Sequence, residues 1–269
     1  MDMRKGFVTF ADILGWKGIW KNVKENDNPL KKLINIKDDL DSKIEKIKKD
    51  YLINKLNEEY QIDLKILEFT DKIEDKNDKK EIEKIIESEM LKAGKERNEI
   101  LEFLKNHKVN LEVDLISDTF VITSNMNKKE NELEEHLKIV QKLIIKCLDE
   151  GLLIRGAISY GEYQKEKLVF VGPAIDEAAS WHEQGEEIGI FLTPSAIFNF
   201  EDYENKELTI LREPKLKCPS FKTLCVNWKE GKELFEKIYK NESPIIPEIA
   251  KKYVNTKKLL EEFEKENKS

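Results

Sequence analysis

Asp12 and Asp118 are the residues whose type and setting most readily do chemistry. Each follows or ends a short apolar, β-prone run, residues 7–10 before the first and 111–115 before the second. Each is also flanked by small or apolar neighbours: Ala11, Ile13, Ser117 and Thr119. Two carboxylates projecting from adjacent strand ends make a hard, oxygen-only site. Such a site suits Mg²⁺ or Mn²⁺, which keep several waters and take one or two carboxylates plus substrate phosphates. A pair of such ions can clamp the attacking and leaving oxygens of an in-line displacement. The segment after Asp12 carries Gly15 and Gly18, and its backbone N–H groups could cradle a triphosphate where a helix begins. The same two aspartates also suit a simpler role, since Asp at a strand end is a common turn or cap residue.

These residues must be positioned by elements, and three zones of different composition supply them. Residues 5–20 open on the strand-like run Phe7-Val8-Thr9-Phe10. Residues 21–107 are dense in Lys, Glu, Asp, Ile and Leu and nearly free of Gly and Pro. Leu40, Ile44, Ile47 and Tyr51 recur there at helical spacing. Ile82, Ile85, Ile86, Met90, Ile100, Leu101 and Leu104 suggest further helix, and the polar stretch 71–80 suggests a turn between two arms. This reads as a charged, solvated helical hairpin without chemistry of its own.

In the third zone, strands are expected over 111–115, 120–122, 152–160, 167–171 and 188–192. Helices are expected over 133–148 and 174–184, a turn at 117–119 and another over 161–166. The resulting order is strand, inserted helices, hairpin, helix, hairpin, helix, strand. It predicts an α+β fold with helices on one face of the sheet. One domain over 1–269 is expected, with 229–269 a helical tail broken at Pro244 and Pro247.

Composition narrows the classes. The chain has 269 residues and a formal charge of −7, which argues against a non-specific nucleic-acid binder. No apolar run is long enough to span a bilayer or to serve as a signal peptide. Cys147, Cys218 and Cys225 form no CxxC pair, as expected of a reduced, cytoplasmic protein. Cys147 reads as a small core residue. His182, alone among Trp181, Glu183 and Gln184, reads as a surface residue, and His107 and His136 support no functional reading.

The order of the motifs resembles class III nucleotidyl cyclases. Phe10-Ala11-Asp12-Ile13-Leu14-Gly15-Trp16 is similar to their first metal motif, and Ile116-Ser117-Asp118-Thr119-Phe120 to their second, with Ser117 and Thr119 in place of two glycines. Residues 153–161, which include Arg155, resemble their R-x-G-I-x-x-G strand. Residues 171–179 resemble the helix start that follows, and 188–195 the next strand. The resemblance implies a ferredoxin-like βαββαβ core carrying the helical hairpin as an insertion. It also implies catalysis by Asp12 and Asp118, two Mg²⁺ or Mn²⁺ ions on Asp12, Asp118 and the Ile13 carbonyl, and substrate contacts from Ile13, Leu14, Gly15, Trp16 and Arg155.

Asp114 and Val169 stand where purine cyclases read the base, and Asp176 and Ser180 where they carry a transition-state Asn and Arg. Those departures are similar to the pyrimidine cyclases of Pycsar antiphage operons. The likeness implies a homodimer with sites at the interface, cyclic UMP or cyclic CMP as product, and a cyclic-nucleotide-responsive effector from the same operon. An adenylate or guanylate cyclase of unusual selectivity, and a catalytically dead nucleotide- or partner-binding domain, are the alternatives.

Overall fold

The computed structural model describes residues 3–16, 28–60, 84, 86–88, 90–107, 109–125, 129–199, 209–212, 217, 223–242 and 247–266. Lys17, Gly18, Trp20, the stretch 71–80, Ile82, Ile85, Cys218 and Pro244 lie outside the described residues.

The apolar run 7–10 becomes the middle of β1 (Arg4–Ile13), an interior strand of the sheet. Next come α1 (Pro29–Tyr60) and α2 (Arg97–Asn106), with helical residues between them at 84–92. The hairpin β2 (Asn110–Ile116) and β3 (Thr119–Asn125) leads into α3 (Lys129–Asp149). A second hairpin, β4 (Ile154–Glu166) and β5 (Val169–Val171), leads into α4 (Pro173–Trp181) and β6 (Gly189–Leu192). The chain closes with α5 (Pro194–Asn199), β7 (Thr209–Arg212), β8 (Thr223–Val226), α6 (Lys232–Glu242) and α7 (Pro247–Glu266).

The strands lie in the order β2-β3-β1-β4-β6-β8-β7, with β5 paired to β4. Within it, β2-β3-β1-β4 is antiparallel throughout. With α1 as the first crossover and α3 as the second, this is the expected βαββαβ arrangement in an α+β fold.

Two expectations need correction. Helices cover both faces of the sheet, not one. Side chains alternate along a strand, so Phe7, Ala11 and Ile13 enter the principal core with α1 and α3, while Val8 packs with Tyr163, Ala174, Ile175 and Ala178 under α4. The second hairpin also turns later than expected. β4 runs unbroken to Glu166, and Lys167 takes the positive φ of the turn. Gly161 is therefore a strand residue that packs closely against Ala174 of α4. Gly172 allows a closer approach still. With φ of +129°, it starts α4 where a Cβ would come within 2.7 Å of the Glu162 carbonyl oxygen.

The helical seam read from the sequence does two jobs. Leu33, Ile36, Leu40, Ile44 and Ile47 are buried in the principal core, and Tyr51 is partly buried against it. Further along, Leu56 meets Ile86, Met90, Ile100 and Phe103 in a separate small cluster. Cys147 is a fully buried core residue as expected, and burial pushes its thiol up. No described helix is long and apolar enough to cross a membrane.

Candidate functional site

Alternation along β1 places Asp12 on the same face as Val8, the face that α4 covers. In register, Asp12 lies opposite Arg155 of β4 and Thr119 of β3. The two-residue turn Ser117–Asp118 then brings Asp118 beside β1, where its carbonyl accepts a hydrogen bond from the Ile13 N–H at 3.1 Å. Ser117 takes φ of +59° at the first turn position. Glycine normally fills such a conformation, and Ser bears strain there. The backbones around the two aspartates, 106 positions apart in sequence, thus lie together at one end of the sheet.

Arg155 lies across Asp12 and is bound to it. Its Nε donates to Asp12 Oδ1 at 2.9 Å and its Nη2 to Oδ2 at 3.0 Å. The same Nη2 donates to Glu183 Oε1 at 2.8 Å. This bidentate fork is the strongest geometry open to a guanidinium and a carboxylate. The Arg155 and Asp12 side chains are only 13 % and 14 % exposed, whereas Glu183 is 54 % exposed. Arg155 therefore faces a carboxylate, the alternative to a phosphate that its type always left open.

The remaining sequence-nominated residues divide. The Leu14 N–H donates to the Leu153 carbonyl at 2.8 Å, so that amide is not a free phosphate donor. Gly15 is exposed with φ of +78°, as a tight turn requires. Trp16 is half-buried and packs against the principal core. Asp176 is exposed in the first turn of α4, and Ser180 donates back to its carbonyl at 2.7 Å.

Two residues that the sequence reading passed over join the site. α4 ends at Trp181, and the chain beyond it brings His182 and Glu183 to the end of β1. Asp12, His182 and Glu183 each offer a ligand atom, all within 4.8 Å of one another. His182 Nδ1 lies 2.6 Å from the Ala179 carbonyl. Donation there leaves Nε2 as the lone-pair nitrogen, the tautomer of a metal-binding imidazole. The Asp12 carboxylate and the neighbouring His182 imidazole fit a divalent cation of the Mg²⁺ or Mn²⁺ kind once the guanidinium yields its place, with Glu183 beside both. No local pattern announces this meeting, because it depends on the length of α4 and the side of the sheet it covers.

The loop after Glu183 is pinned by α7. Lys252 Nζ donates to the Gly185 carbonyl at 2.6 Å, Asn255 Nδ2 to the Glu186 carbonyl at 2.9 Å, and the Ile188 N–H to Thr256 Oγ1 at 2.9 Å. Burial first, then the like charges of Arg155 and Lys217, push Lys252 down to about 8.

A second polar group lies on β2. Lys165 of β4 bridges Asp114 and Glu112, and these three line a groove of about 410 Å³ with Arg4, Lys167 and Leu168. Val169, at the neighbouring hairpin, is 65 % exposed.

No known family profile matches the sequence, and no curated relative does. Among solved structures, the catalytic core of a rhodopsin-guanylyl cyclase with converted specificity, in complex with ATPalphaS, is similar at 13% identity and a TM-score of 0.40. That match covers 84% of this chain and 97% of the other. The guanylyl cyclase Cya2 gives 10% identity and a TM-score of 0.35, over 84% of this chain and 91% of the other. The adenylyl cyclase CyaB from P. aeruginosa gives 11% and 0.37, over 84% and 95%. Likeness at this level leaves function to be argued from the residues themselves.

Proposed function

We propose that this chain is a divalent-metal-dependent nucleotidyl cyclase that converts a pyrimidine nucleoside triphosphate, UTP in preference to CTP, to its 3′,5′-cyclic monophosphate and pyrophosphate. The observation that supports the reading is the Arg155 fork on Asp12 at the sheet end where the Asp118 backbone bonds to Ile13, in the motif order that resembles class III cyclases. Asp12, Asp118 and the Ile13 carbonyl would hold two cations. When bound, these supply acidification of the ribose 3′-hydroxyl and charge neutralisation on the triphosphate. The 3′-oxygen bonds to the α-phosphorus as the bond to the bridging oxygen breaks and pyrophosphate leaves. The chain itself contributes position and charge, with the backbone at Gly15 and Trp16 holding the terminal phosphates and Arg155 neutralising them.

The base preference rests on Asp114 and Lys165. A carboxylate beside an ammonium offers an acceptor next to a donor. That matches the adjacent N3–H and O4 of uracil, and the N4–H and N3 of cytosine. Preference for UTP over CTP follows the resemblance alone. The hairpin tip exposes Leu168, Val169 and Val171 together, which supports a homodimer with sites at its interface. In this reading the product signals to an effector from the same operon in antiphage defence.

A second reading has one observation in its favour. Both oxygens of Asp12 are already engaged by Arg155, as suits a domain that binds nucleotide without turning it over. The deciding test incubates the full chain separately with ATP, GTP, CTP and UTP plus Mn²⁺ and identifies products by mass spectrometry, with Asp118→Ala as control. A cyclic pyrimidine nucleotide lost in the variant is the expected result. A cyclic purine product would move the protein to the purine cyclases, and tight nucleotide binding without any product would establish the second reading.

A further inference from the structure

We propose that Arg155 is a built-in counter-ion that yields Asp12 to an incoming divalent cation, and that Glu183 is the positioning residue that takes up the displaced guanidinium. This rests on the reading of Asp12 as a cation ligand and adds a residue with a regulatory part in that site.

Three observations carry it. First, the guanidinium holds both oxygens of Asp12, so a cation approaching that carboxylate meets a bound positive charge and competes with the fork for its lone pairs. Second, Nη2 is shared, with one hydrogen directed to Asp12 Oδ2 and the other to Glu183 Oε1. A small rotation about the Glu183 bond frees Asp12 without setting the guanidinium loose. Glu183 is the more exposed partner, 54 % against 14 %, so the rotation carries the charge outward to the rim, where a substrate phosphate would lie. Third, the backbone around Glu183 is fixed. The Gln184 N–H donates to the Trp181 carbonyl at 2.9 Å, and α7 holds residues 185–188 through Lys252, Asn255 and Thr256. A pinned acceptor can receive the guanidinium in one place, which a mobile loop could not.

The charges favour an exchange over a simple opening. Asp12 is largely buried, and an unpaired buried carboxylate is strongly unfavourable. Arg155 therefore leaves as the cation arrives, and the cation's apparent affinity is reduced by the fraction of molecules in which Arg155 holds Asp12.

The test is a Mn²⁺ titration of the full chain followed by the electron paramagnetic resonance signal of free Mn²⁺, with no nucleotide present. Wild type is compared with Asp12→Asn, Arg155→Met, Glu183→Gln and the double variant Arg155→Met/Glu183→Gln. Arg155→Lys stands in if the Met variant does not fold, since an ammonium cannot hold both oxygens of one carboxylate in a fork. The expected results are an affinity raised about tenfold by Arg155→Met and lowered several-fold by Glu183→Gln. The double variant should bind as Arg155→Met does, because Glu183 acts only through Arg155. If Glu183→Gln still weakens binding in the Arg155→Met background, Glu183 is a direct ligand and the exchange is overturned. If Arg155→Met leaves the affinity unchanged or lower while Asp12→Asn abolishes binding, the exchange fails and Asp12 stands as a ligand. If no variant binds Mn²⁺ at a site sensitive to Asp12→Asn, the ligand reading fails and takes the exchange with it.

Discussion

The two faces of the central sheet each carry a cluster of chemistry-bearing side chains, and the two clusters behave in opposite ways. On the α3 face, Thr9, Ser124, Glu132 and His136 are all buried. Thr9 Oγ1 lies 2.6 Å from His136 Nε2, His136 Nδ1 lies 3.0 Å from Ser124 Oγ, and Ser124 Oγ donates to Glu132 Oε1 at 3.1 Å. The Phe7 N–H donates to the same Glu132 oxygen at 3.2 Å. One consistent direction satisfies the whole chain: Thr9 donates to Nε2, Nδ1–H donates to Ser124, and Ser124 donates to the carboxylate. The imidazole is neutral in that arrangement, and burial pushes His136 down to about 3. On the α4 face, Asp12, Arg155, His182 and Glu183 stand at the rim, and their network ends on an exposed carboxylate. A Ser, a His and a Glu in contact resemble catalytic machinery by type. Sealed against β1 and β3, they are a structural clasp. The open cluster, less suggestive by type, is the one that a ligand can reach.

The sharpest way to break this comparison is to remove a carboxylate from each region. Asp118→Ala is expected to lower cyclase activity at least about a thousandfold, since it removes a metal ligand at the reacting centre. It should leave the urea midpoint nearly unchanged, because Asp118 is only half-buried and its hydrogen bond to Ile13 runs through the backbone, which alanine keeps. Glu132→Ala should do the reverse. It strands the buried Phe7 N–H and Ser124 hydroxyl and is expected to cost about 2–4 kcal/mol in urea denaturation. An Asp118→Ala enzyme of full activity, or a Glu132→Ala protein of unchanged stability, would reverse the assignment of the two faces.

Acid sharpens the same contrast. His136 titrates at about 3 when folded and near 6.5 when unfolded. The unfolded chain therefore binds more protons between those values. The contribution of His136 to stability is complete above about pH 6.5 and is lost as pH falls toward about 3. Urea midpoints measured from pH 7 to pH 5 should fall for wild type and fall less for His136→Gln. Equal slopes in the two proteins would remove His136 as the cause. The smallest effect expected is at the turn that presents Asp118. Ser117→Gly relieves the strain of φ at +59° against the entropy of an added glycine, and should stabilise by no more than about 1 kcal/mol. A loss of stability on that change would mean that the Ser117 side chain does more there than fill a turn.

Much of this was legible in residue patterns, and the failures share one cause. Alternation located β2, short β-prone apolar runs located β1 and β3, and helical spacing located α3 and the inner face of α1, because burial dictates those patterns locally. Asp12 and Asp118 were nominated by their setting and motif order, and the strand pairing brings their backbones to one sheet end. The end of β4 was misplaced because Gly161 looks like turn chemistry, while the actual turn at Lys167 and Leu168 carries no turn residue at all. The two-sided sheet was missed because Val8 and Phe7 are both apolar, so β1 shows no alternation that would betray which face is covered. Glu183 and His182 were missed because their partners are remote in sequence, and only the packing of α4 across β1 and β4 brings them to Asp12. The fork between Arg155 and Asp12 had the same origin. Each residue was nominated, but their register across β1 and β4 is a property of the sheet.

The most direct test of the whole account is a crystal structure grown with Mn²⁺ and a non-hydrolysable UTP analogue, with anomalous scattering recorded at the manganese edge. Anomalous peaks are expected within coordination distance of Asp12 and Asp118, with the analogue's base against Asp114 and Lys165, and Arg155 released from Asp12 onto Glu183 and the phosphates. An intact Arg155–Asp12 fork with no manganese beside either aspartate would contradict it.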